Sequence, residues 1–90
     1  MADTENYKNL INDIIAKQSV ILGSEIVLLK ARNVKGLRLD AAGKVEEISG
    51  NPQEVLEGLI SEYVSLSGQI VKNILNPILA KYPDIKISIN

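Results

Sequence analysis

Ninety residues are enough for one hydrophobic core and too few for two. The chain is 46% hydrophobic with three tyrosines as its only aromatics, which excludes a disordered polymer and leaves an aliphatic core. A net charge of −1 with no His and no Cys removes the commonest general base, the thiolate nucleophile, the disulfide framework and the soft metal ligands.

The start, Met1-Ala2-Asp3-Thr4-Glu5, is acidic, whereas a secretory signal opens with basic residues. The longest apolar-rich run, Val20 to Leu29, is interrupted by Gly23-Ser24-Glu25 and falls short of the ~20 residues that cross a bilayer. These features predict a cytoplasmic protein with no membrane span.

From Tyr7 onward, Leu10, Ile11, Ile14, Ile15, Ile21 and Leu22 recur at spacings of three and four, the signature of one apolar helix face. Asp3 or Thr4 can cap this helix. Gly23-Ser24 could end it, but Leu28, Leu29, Lys30, Ala31 and Arg32 are good helix formers, so the reading favours one helix over about 4–33. The competing reading makes Glu25 to Lys30 a strand. On the helical reading Val20, Val27, Ala31 and Val34 form a second apolar stripe, away from the first, as expected of an oligomer contact. Gln18 falls in the middle of the first stripe, where a polar group either meets a partner's polar residue or marks the helix end.

Lys35-Gly36 opens a different texture. Leu37 and Leu39 alternate with Arg38 and Asp40, and Val45 and Ile48 follow Ala41-Ala42-Gly43-Lys44, which predicts a β-hairpin over about 36–49 turning at Gly43. Asn51-Pro52-Gln53-Glu54 then opens a helix with a capping Asn, a Pro at the first helical position and a Glu able to reach back to the cap. Val55, Leu56, Leu59, Ile60, Tyr63, Val64, Ile70, Val71, Ile74 and Leu75 give this helix one broad apolar face over about 52–76. Pro77 predicts an end or a kink there, with a further turn to about Lys81. The tail from Asp84 to Ile89 alternates as a third strand would.

The expected architecture is therefore mostly α with a small β element. Its order is α-β-β-α: two long antiparallel helices linked by a hairpin, with a second copy completing a dimeric helical bundle.

Three constellations bear on function. Residues 30–44 carry Lys30, Arg32, Lys35, Arg38 and Lys44 against Asp40, whereas 45–71 carry Glu46, Glu47, Glu54, Glu57 and Glu62 with no Lys or Arg. The basic stretch could meet an anionic partner, but it lacks stacking aromatics and any nucleic-acid motif, which argues against nucleic acid. Gly58, Ser61, Ser65 and Gly68 line one side of the long helix, where a neighbouring backbone could approach closely. The glutamates follow no Ca²⁺-loop pattern, and no Gly-rich run can cradle phosphate, so the chain offers no catalytic, metal or cofactor site. What remains is a small non-enzymatic homodimeric interaction or regulatory module working through apolar helix faces, with binding of an apolar ligand between the helices as the alternative.

Overall fold

The computed structural model describes residues 4–85, apart from the side chains of Ser67, Ile70 and Val71. Within it the chain is mostly helical with one two-stranded antiparallel sheet. The elements are α1 (Thr4–Leu22), α2 (Ser24–Arg32), β1 (Leu37–Leu39), β2 (Val45–Ile48) and α3 (Pro52–Leu79).

The helix expected over 4–33 is thus two helices, and the order is α-α-β-β-α. They part at a single residue, Gly23, whose φ of 94° and ψ of 139° lie where only glycine sits without strain. Nothing crowds the position, so sterics do not force the break. The gain lies in what the bend buries: α2 folds back and places Val27, Ala31 and Val34 in the core beside Leu10, Ile14 and Leu59. Each buried aliphatic side chain of valine size contributes about 1.5–3 kcal/mol. That outweighs the few hydrogen bonds a continuous helix would add at about 0.5–1.5 kcal/mol each. The strand alternative for Glu25 to Lys30 is excluded by the same element.

The bend also corrects the expected antiparallel pairing. With α2 as a return pass and the hairpin as a second reversal, α3 begins beside the start of α1, where Tyr7 Oη donates to Gln53 Oε1 at 2.8 Å. At the other end of α3, Tyr82 Oη donates to Asp13 Oδ2 at 2.7 Å. A straight helix of 28 residues would run about 42 Å, yet the fold is 32 Å in its longest dimension. α3 therefore bends, and both its ends meet α1 within a stretch from Tyr7 to Asp13.

The hairpin forms where expected, pairing Leu37 with Ile48, Arg38 with Glu47 and Leu39 with Val45, with an irregularity between Arg38 and Leu39. Two strands alone are marginal in water, and both helices before them supply support. Val45 N donates to Asn12 Oδ1 at 2.8 Å, and Leu37 N donates to the Val34 carbonyl at 3.3 Å. Gly36 closes the root of the hairpin at φ 89°, where a Cβ would stand 2.6 Å from the Ser49 carbonyl oxygen.

α3 starts at the predicted cap: Asn51 Oδ1 accepts from Gln53 N at 2.8 Å and from Glu54 N at 3.4 Å, with Pro52 in the first turn. It continues through Pro77 to Leu79, and hydrogen-bonded turns carry the chain on to Tyr82, where a further turn to about Lys81 was expected. Pro77 gives up the hydrogen bond that an N–H there would make to the Asn73 carbonyl, and the burial of Leu75 and Ile78 on either side of it offsets that loss. Of the expected strand 84–89, Asp84 is in a turn and Ile85 is buried, and the rest lies outside the described residues.

Candidate functional site

The three most exposed aliphatic side chains gather at the elbow between α1 and α2, and Val64 and Leu66 are exposed to a lesser degree on α3. Val20 is 84% exposed, Leu29 58% and Ile21 52%. Half-buried Leu22 and Ile26 adjoin them and, with Leu29 and Gly23, line a shallow groove at the bend. A lone exposed leucine is ordinary, but several large aliphatics on one bend of a 90-residue chain are not. The groove also faces the first turn of α2, whose amides have no intrahelical carbonyl and no side-chain cap.

Of the four residues of the second apolar stripe expected at an interface, Val20 alone is open. Val27, Ala31 and Val34 belong to the core, because the bend at Gly23 turns the second stripe inward against α1 and α3. The small-residue strip divides as well. Gly58 does allow a close approach, since a Cβ there would lie 3.4 Å from the Val34 side chain, but that neighbour is in the same chain. Ser61 and Ser65 are exposed, and the nearest group to a Cβ on Gly68 is Val64 of its own helix.

The basic residues do not assemble into one positive surface. Lys30 Nζ lies 3.9 Å from Glu62 Oε1, and Arg32 Nη2 donates to the Asp40 carbonyl at 3.3 Å. Arg38 stands opposite Glu47 in the sheet, with exposed Glu46 beside it, while Lys35 and Lys44 are exposed at the two ends of the hairpin. Interleaved carboxylates of this kind lower the potential a phosphate backbone would feel.

Among the described residues Gln18 is the one buried polar residue of the core: its side chain is 0% exposed, and neither amide atom has a hydrogen-bond partner. Leaving such a group unpaired costs about 1–3 kcal/mol. Two tyrosines carry the buried polar contacts instead. Tyr63 Oη donates to the Val27 carbonyl at 3.0 Å, tying α3 to α2, and burial pushes its pKa well up. Tyr82 is pushed up to about 12, first by burial, then by its hydrogen bond to Asp13 and the charge of that carboxylate. Both phenols therefore stay protonated and donate, which suits a structural clamp and not a base or nucleophile.

Among the described residues, no three His, Cys, Asp or Glu side chains come together to hold a metal ion, and no helix is long and apolar enough to cross a membrane. The chain matches no family model, no curated protein and no solved structure. Its site must therefore be judged on its own chemistry.

Val64, expected on the apolar face of α3, is 37% exposed. Sequence pattern gives no sign that Ile21 and Leu29 lie at the surface. The signal was misleading for a physical reason: on an unbroken helix both fall in phase with Ile11, Ile14 and Leu22, which reads as core.

Proposed function

We propose that the chain is a small non-enzymatic interaction module that works as a homodimer, using the apolar elbow between α1 and α2 as its contact. The observation that carries this reading is the joint exposure of Val20, Ile21 and Leu29 around Gly23. Burying large aliphatic side chains gains about 1.5–3 kcal/mol each, and a domain of this size, which buries a small share of its surface by itself, gains from covering them. The absence of His and Cys from the sequence, together with tyrosines held as donors, supports a role without catalysis. The cytoplasm is the proposed compartment.

Sedimentation equilibrium across the micromolar range tests the proposal. The expected result is a concentration-dependent dimer that Val20→Glu converts to a folded monomer. A wild-type chain that remains monomeric throughout overturns it. Binding of nucleic acid through Lys35, Arg38 and Lys44 gains no such support, because Glu46 and Glu47 share their ribbon.

A further inference from the structure

The geometry points to Gly23 as the hinge of a domain exchange, in which α1 and α2 join into one straight helix and α1 docks on a second copy of the chain. This rests on the homodimer reading above and specifies what the second copy contributes.

The hydrogen-bond pattern at the bend is the first observation. Gly23 N donates to the Ser19 carbonyl at 3.0 Å, and Val27 N donates to the Gly23 carbonyl at 3.3 Å. Both are bonds between residues four apart, as in an α-helix. The helical ladder thus reaches Gly23 from each side, and the turn is concentrated in one residue at φ 94°. Rotating that residue into the helical region would join the ladders and supply carbonyl partners to the uncapped first turn of α2. In the bent form a Cβ at this position would meet nothing within 4 Å.

The second observation is that residues 20–32 carry two apolar registers. The bent form uses one of them, burying Val27 and Ala31 and leaving Ile21 and Leu29 half out. In a straight helix the other takes over: Ile11, Ile14, Leu22 and Leu29 fall at offsets that share one face, with Ile21 beside it and Gln18 and Glu25 as polar positions within it. Part of that stripe, at Ile21 and Leu29, is left uncovered within one chain. A second copy covers it, because exchange of α1 remakes between chains the contacts the bent fold makes within one. These are Tyr7 with Gln53, Asn12 with Val45 N and Asp13 with Tyr82. The two hinges then lie next to each other at the two-fold axis, where Ile21 and Leu29 of each copy meet.

The absence of cysteine permits a direct test. Fluorophores on Asn9→Cys and Asn33→Cys, both exposed positions, report the distance along α1 and α2 when the labelled chain is diluted into a large excess of unlabelled chain. In a straight helix the two sites are about 36 Å apart. They are much closer in the bent form, where Arg32 reaches Asp40 and Val45 bonds Asn12. The expected result is that the wild-type dimer shows the long distance and the monomer the short one. Gly23→Ala should strengthen dimerisation at least about tenfold, since alanine favours the helix interior and disfavours the bend. Leu29→Glu, exposed when bent, should abolish the dimer and leave the monomer folded. A wild-type dimer that keeps the short distance overturns the exchange while the homodimer reading stands; a wild-type chain that never dimerises overturns both. If Gly23→Ala fails to fold, the wild-type distance decides.

Discussion

The two later helices begin in opposite ways. α3 starts under a side-chain cap, with Asn51 accepting two amides and Pro52 in the first turn. α2 starts after an uncapped glycine, with only the charge of Glu25 in its first turn to favour that end. The first boundary is specified locally, by bonds between a side chain and the amides two and three residues on. The second exists because the bend buries Val27, Ala31 and Val34 and lets Tyr63 reach the Val27 carbonyl. A boundary held by tertiary contacts alone is one that a different set of contacts can undo.

The largest expected difference between the two regions is in packing. Leu59→Ala, at a fully buried position of α3, should cost about 2–5 kcal/mol, read from the shift in urea midpoint. Leu29→Ala at the elbow should cost under about 1 kcal/mol, as suits a half-exposed leucine. Equal losses would show that the elbow is buried in solution.

Next comes the orphan amide on the face of α1 that leads to the elbow. Gln18→Met keeps the volume and removes two unpaired polar atoms, so stability should rise by about 1–2 kcal/mol, measured in the same way. A loss of stability would mean that the amide has a partner in the assembled protein. The two helix starts can then be compared directly. Asn51→Ala should cost about 1 kcal/mol, whereas Ser24→Ala at the start of α2 should stay within about 0.5 kcal/mol.

The smallest effect concerns alkaline pH and the clamp at the far end of α3. The folded state holds the Tyr82 proton to about 12 against an ordinary value of 10.0. A raised pKa in the folded state stabilises the fold fully below the unfolded value and ceases to do so as pH rises through the folded one. Thermal melts should therefore fall between pH 10.0 and about 12, and Tyr82→Phe should flatten part of that slope. An unchanged slope would assign the alkaline loss to Tyr63 instead.

Much of the molecule could be read from residues in order. The α1 stripe, the hairpin around Gly43 and the Asn51-Pro52 start of α3 all follow from period, turn chemistry and capping, which act over a few neighbours. What could not be read is which of two apolar registers residues 24–32 would use. Both are helical and both are aliphatic, so local propensity is indifferent between them. Only the contact of α2 with α1 and α3 selects the register that buries Val27 and Ala31, and the same selection pushes Ile21 and Leu29 to the surface. Sequence by itself determined the helices, the hairpin and the aliphatic core, because those choices are made between neighbours. Tertiary structure decided the bend at Gly23 and the candidate site around it, because a glycine permits many directions and the burial of distant side chains chooses one.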